Sequence, residues 1–217
     1  MKYKARGTIG RMIERLIPHK MDILYSRKDL PLGKTWEEWT VEWWKWVLEI
    51  PKYRNPGYDV DGSLLQNTPQ KFLDPYFLVG THGGQAKRSI HIRVGTSILM
   101  PVINVTISFA EAPHLRSRDE LLDFVVRNSN DLTNKGATID GLSFSDLEEY
   151  RVRSDFFPVN FPENNIYSVR AGPTVGIADG YWLFLRPLEA GEHTIHTFGS
   201  CLAGRIRIEV LYTISVF

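Results

Sequence analysis

The sequence predicts an all-β chain folded as a two-sheet sandwich, a single jelly roll or a related form, and three observations carry that prediction. The last thirteen residues alternate, with Ile206, Ile208, Val210, Tyr212, Ile214 and Val216 interleaved by Arg205, Arg207, Glu209, Thr213 and Ser215. Period two is the mark of a strand with one buried and one wet face. The same pattern recurs at Ile90, Ile92 and Val94 and at Ile103, Val105, Ile107 and Phe109. Gly- and Pro-bearing turns then divide the chain into short apolar runs near 76–80, 88–94, 98–109, 137–143, 149–157, 180–186, 193–199 and 205–217, the spacing of a sandwich. The last three runs read as a meander, with Pro187-Leu188-Glu189-Ala190-Gly191 as the first turn.

Composition bounds the rest. A chain of 217 residues, 43% hydrophobic and 24% charged, suits one large domain with an appended segment. No run approaches the roughly 18 apolar residues that cross a bilayer, and the first thirty residues lack the apolar core of a secretory signal. The single cysteine, Cys201, forms no internal disulfide and fits a reducing compartment. These features predict no transmembrane segment and a cytoplasmic or particle-associated (virion-like) location. The Asn104-Val105-Thr106 sequon lies inside a strand pattern and is discounted.

Charge divides the chain. Residues 1–34 hold nine Lys or Arg against three acidic residues, which leaves 17 basic and 22 acidic residues for 35–217. Within this basic arm Ile9, Met12, Ile13, Leu16 and Ile17 follow a helical stripe that Pro18 ends. An amphipathic basic helix seeks a partner surface, through Arg6, Arg11, Met12, Arg15 and Leu16. The surfaces it suits are a second copy of the chain, nonspecific nucleic acid or an anionic surface.

The domain proper, 35–217, opens with a second helix. Thr35 and Glu38 stand at capping-box spacing before Trp36, Trp39, Trp43, Trp46, Val47 and Ile50. Five of the six tryptophans lie in this segment, so it reads as a plug on the β body, with Trp44 off the main stripe and the one to be left exposed. A third helix is inserted near 117–128, where Ser117 and Glu120 repeat the capping box.

Chemistry is sparse. Trp44, Tyr53 and Tyr58 offer stacking surface for a sugar ring. Asp59-Val60-Asp61-Gly62 has the opening of a calcium loop without its later ligands. His82-Gly83-Gly84 lacks phosphate-loop spacing. His193 and His196 point to opposite faces of a strand, so they do not chelate one ion without a bulge. Glu148-Glu149, or Asp179 with Glu192, are the available carboxylate pairs, and no nucleophile elbow is present.

The stretch from Gly180 to His196, with Pro187, Gly191 and His193, loosely resembles the second metal-binding motif of cupins, although the His-x-His partner motif is missing. Together with the Trp-rich helix, Phe77–Gly84 and Pro101–Asn104, it also resembles a group of bacterial and environmental β-sandwich proteins with no established activity. That resemblance implies a shared fold and transfers no functional residue. The leading expectation is a non-enzymatic structural protein, a jelly-roll subunit of a homo-oligomer or a shell- or capsid-like particle that docks through its arm, without a cofactor. The alternative is a carbohydrate-binding or cupin-like metal-dependent sandwich. Its ligands would be Ca2+ or a transition metal at Asp59, Asp61, His82 or His193.

Overall fold

The computed structural model describes residues 23–217. Among these residues, three complete α-helices and ten strands follow one another: α1 (Trp36–Leu48), α2 (Ser63–Asn67), β1 (Tyr76–Phe77), β2 (Gly84–Ile92), β3 (Ile98–Ser108), α3 (Arg118–Asn130), β4 (Thr133–Ile139), β5 (Leu142–Phe144), β6 (Arg151–Arg153), β7 (Phe157–Phe161), β8 (Gly172–Leu185), β9 (Gly191–Cys201) and β10 (Ile206–Val216). They form a two-sheet β-sandwich. One sheet runs β1-β3-β8-β6 with β7 also on β8, and the other runs β2-β10-β9-β4-β5.

Both predicted capping boxes form. The Thr35 hydroxyl accepts from the Glu38 N–H while the Glu38 carboxylate accepts from the Thr35 N–H, and Ser117 with Glu120 repeats the arrangement on α3. The alternation of β10 buries Val210, Tyr212, Ile214 and Val216, but fails at its start, where Ile206 is exposed and Ile208 half-buried. Val94 lies past the end of β2 and is exposed.

Five expectations change. The run 137–143 is a hairpin, because Asp140 and Gly141 both take positive φ (47° and 82°), the turn that matches strand twist. The run 149–157 splits into β6 and the start of β7, and β8 begins eight residues before the predicted run, at Gly172. The meander is not formed: β9 and β10 pair antiparallel, whereas β8 lies in the opposite sheet. Two pairings, β1 with β3 and β2 with β10, are parallel, unlike the antiparallel ladders of a jelly roll.

The predicted arm boundary at 34 also moves. Ile23 and Leu24 are buried, the Tyr25 N–H donates to Phe184 O, and the Arg186 N–H donates to Ile23 O. Residues 23–34 therefore belong to the body, and Arg6, Arg11, Met12, Arg15 and Leu16 lie outside the described residues.

Alternate residues of β8 face different layers. Trp182 and Phe184 meet the tryptophans of α1, with Trp182 5.1 Å from Trp43 and Phe184 5.8 Å from Trp36. Tyr181 carries Lys135 of β4 over its ring at 4.2 Å. Ile103 packs so closely on Gly199 of the other sheet that a Cβ there would stand 2.7 Å from Ile103 Cδ1. Helix α3 seals a smaller cluster of Leu121, Val125, Ile107 and Ile177. Asp179, 1% exposed, is held bidentate by Arg151 at 2.9 and 2.8 Å.

Candidate functional site

Among the described residues, strand β3 has a partner on one side only for part of its length. β1 pairs with Ile98 and Leu99 and goes no further. On the other side, the Ser154 N–H donates to Ala178 O at 2.9 Å and the Ala178 N–H donates to Ser154 Oγ at 3.0 Å. Ala178 thus spends both backbone groups away from β3. In an antiparallel ladder its partner Thr106 and the residue two before it, Asn104, then direct their own backbone groups to the opposite, free edge.

A cleft of about 400 Å3 lies at this edge, within the size range of small-molecule sites. Its walls come from Trp43, Trp44 and Val47 of α1, the 79–82 loop, Asn104–Thr106, Ile166 and Tyr167, and the β9–β10 hairpin at Cys201, Leu202, Ile206 and Ile208. The frayed start of β10 is therefore one wall of the cleft. Small residues keep it open, since Gly57 and Gly80 line it and a Cβ on Gly57 would lie 2.7 Å from His82 Nε2.

Its polar groups set it apart. Among the described residues, four side chains hold a buried polar atom with no hydrogen-bond partner: Arg27, Trp44, Tyr76 and Asn104. Two of them, through Trp44 Nε1 and Asn104 Nδ2, belong to this one cleft. An unmatched buried donor costs on the order of 1–3 kcal/mol, so their concentration at one cavity marks a place where an acceptor is missing. A larger hollow of about 550 Å3 lies near Trp46 and Pro69. There the Trp46 indole already donates to Pro69 O at 3.0 Å.

Behind the 79–80 wall sits Arg88, only 1% exposed. It donates to Asp59 O, Val79 O, Gly80 O and the Tyr212 hydroxyl, at 2.6–3.1 Å. Every acceptor is neutral. Burial and the charges of Lys52 and Arg88 hold His82 below its usual pKa, so its ring is neutral at physiological pH. Burial also raises the Cys201 thiol, which stays protonated, and places the Tyr167 phenol well above its usual range. Glu111, which acts electrostatically on Tyr167, is pushed by burial to about 7.

The predicted residues are dispersed by comparison. Trp44 is 5% exposed rather than open to solvent, because it packs edge-on to Trp43 at 4.9 Å. Tyr58 stacks on His82 at 4.6 Å, and Tyr53 stands apart at 74% exposed, so the three aromatics make no continuous sugar platform. The Asp59 carboxylate accepts from the N–H groups of Asp61, Gly62 and Leu65, and Asp61 accepts from the Ser63 N–H. This turn covers the free edge of β2, where the Lys87 and Ser89 N–H groups donate to Val60 O and Asp61 O.

His193 fills both ring nitrogens, with Asp140 Oδ2 at 2.7 Å and Glu189 O at 2.8 Å. It is held far from His82: β10 pairs Ile208 with Gly84 and Ile214 with His193, six residues or roughly 20 Å along the strand. Among the described residues, no three His, Cys, Asp or Glu side chains gather as a metal site requires. The sequence-level carboxylate pairs are engaged separately, Glu148 with Lys135 and Tyr181, Asp179 with Arg151, and Glu192 with Ser215.

Sequence reasoning passed over Arg88, Glu111 and Tyr167. The signal for Arg88 was present, because the Ile90 and Ile92 alternation, carried back two steps, puts Arg88 and Ala86 on the buried face.

No known protein family matches the chain, and no curated protein matches it. Among solved structures it is similar to a cysteine protease inhibitor from Entamoeba histolytica, with 12% identity and a TM-score of 0.25, over 65% of this chain and 94% of that one. A superposition that loose assigns neither fold nor function. Among the described residues, no helix is long and apolar enough to cross a membrane.

Proposed function

We propose that the protein is a binding protein whose ligand is a small, largely apolar molecule seated in the cleft at the free edge of β3. Trp44 and Asn104, two residues that line one cavity and that each hold a buried N–H donor without an acceptor among the described residues, carry this reading. Val47, Val79, Val105, Ile166, Ile206 and Ile208 supply apolar surface around them. A ligand that presents an acceptor to both donors while covering that surface gains hydrogen bonds and apolar burial together.

The test is indole NMR with 15N-labelled protein against a panel of small amphiphiles. One indole N–H signal, assigned to Trp44 by its absence in Trp44→Phe, is expected to shift on binding. A panel without saturable binding at that signal rejects the reading.

Charge segregation supports a second role in self-association. Residues 1–22 hold six basic and two acidic residues, whereas 23–217 hold 20 basic and 23 acidic. An arm of that sign is attracted to the body of a second copy, as in shell- or capsid-like particles. The mass in solution of the full chain and of 23–217, at low and high salt, decides it. An arm-dependent, salt-sensitive oligomer is expected, and a monomer in every condition rejects it.

A further inference from the structure

The cleft has a sign. Among the described residues none of those lining it is Asp or Glu, so no wall carboxylate repels an anion. Its two partnerless groups are both N–H donors. The backbone at this edge takes no side, since Asn104 and Thr106 each offer one N–H and one C=O.

Beyond the wall the fixed charges are positive. Arg88 donates to the carbonyls of Val79 and Gly80, both cleft residues, and touches no carboxylate. Lys52 stands over the Tyr58 ring at 5.2 Å, and Tyr58 stacks on His82 in the wall. Burial first, and then both cations, hold His82 below its usual pKa. Two carboxyl groups tied to this region, Asp59 next to the Arg88 contact and Glu111 acting on Tyr167, are committed or neutralised. The Asp59 carboxylate is held by three backbone N–H groups, and the Glu111 carboxyl accepts from the Ser108 hydroxyl at 2.7 Å and is raised by burial to about 7.

We infer that the ligand is a free amphipathic monocarboxylate whose carboxylate meets the Trp44 indole N–H and the Asn104 amide while its apolar body lies on Ile166, Ile206 and Ile208. This rests on the binding reading above and specifies its ligand class. A carboxylate suits the two donors because it accepts without donating and offers two oxygens. Hydrogen bonds to a charged acceptor are also roughly twice as strong as neutral ones. An alcohol oxygen can accept from both donors through its two lone pairs, but only as a neutral acceptor and with an O–H of its own to satisfy, and an ammonium group, which has only donors, satisfies neither.

The experiment compares octanoate, octan-1-ol and octylamine, three probes with the same tail, by calorimetry and by the Trp44 indole signal of the full chain. Octanoate is expected to bind at least ten-fold more tightly than the alcohol, to shift the Trp44 signal downfield, and to outbind the amine by more. Asn104→Asp, nearly isosteric, replaces the donor by a carboxylate. It is expected to weaken octanoate at least ten-fold and to improve octylamine, with circular dichroism and melting temperature confirming the fold. Trp44→Phe, which keeps an aromatic wall, is expected to weaken octanoate without improving octylamine. Equal or tighter binding of the alcohol or the amine overturns the carboxylate assignment while leaving the cleft as a binding site. Failure of all three probes to bind overturns both.

Discussion

Helix α1 presents two surfaces built from the same residue type, and they are finished differently. Four indoles, Trp43 among them although it borders the cleft, donate to backbone carbonyls: Trp36 to Ser26 O at 3.2 Å, Trp39 to Pro31 O at 2.7 Å, Trp43 to Leu78 O at 2.8 Å and Trp46 to Pro69 O at 3.0 Å. Trp44, on the cleft, is as buried as its neighbours yet has no acceptor among the described residues. A tryptophan that only fills space normally finds a partner for its N–H. The contrast teaches that burial alone does not separate a structural aromatic from one in a binding wall, whereas hydrogen-bond completion does.

The largest test of that contrast removes a sealed indole. Trp43→Ala deletes an aromatic packed on Trp182 and opens a cavity between α1 and β8, with an expected loss of about 3–5 kcal/mol in urea denaturation. A loss below about 1 kcal/mol would mean that α1 is not the anchored plug described here.

Glu111→Gln probes the region beside the cleft. Burial raises this carboxyl to about 7 from 4.5, so the folded state keeps a proton that the unfolded state has released. Its contribution to stability therefore falls as pH rises from about 4.5 through 7. The glutamine variant should lose that slope and gain on the order of 1–2 kcal/mol at pH 8. An unchanged pH profile would mean that Glu111 is solvated.

The two histidines give a smaller effect with opposite signs. At His193 burial opposes the charge, but the hydrogen bonds to Asp140 and Glu189 outweigh it and raise the pKa. Its stabilisation is complete below 6.5 and is lost as pH rises through the raised value. At His82 burial, Lys52 and Arg88 lower the pKa, so stability present above 6.5 is lost as pH falls. His193→Gln should accordingly lower the melting temperature at pH 5.5 more than at pH 8. His82→Gln should remove part of the acid-side loss. The same pH dependence in both variants contradicts the contrast.

The smallest stability effect belongs to Trp44→Phe. Losing an N–H that lacks an acceptor offsets the lost apolar area, and unfolding free energy without ligand should stay within about 0.5 kcal/mol of the parent. A loss of 2 kcal/mol or more would show that Trp44 already has an acceptor in solution and belongs with the sealed set.

Much of the local structure was legible because its causes are local. Period two marked β2, β3 and β10, and the capping boxes at Thr35 and Ser117 placed the starts of α1 and α3. The β4–β5 turn was also legible, since Asp140-Gly141 is a hairpin signal, but the apolar run around it concealed the break. β7 and the first half of β8 gave little to read, as Pro158, Asn160, Pro173, Thr174 and Gly176 interrupt their apolar text.

By itself, then, the sequence determined a β-sandwich with a tryptophan-rich helix, because side-chain periodicity and caps act over a few residues. Only the tertiary structure decided that β8 leaves the expected meander for the other sheet, and that β1 stops at Phe77 and leaves the edge of β3 open. It also decided that Arg88 meets only neutral oxygens and that Trp44, alone among the five indoles of α1, lacks an acceptor. Each of these depends on which distant carbonyl, strand or charge arrives at a given surface, and no local periodicity encodes that arrival.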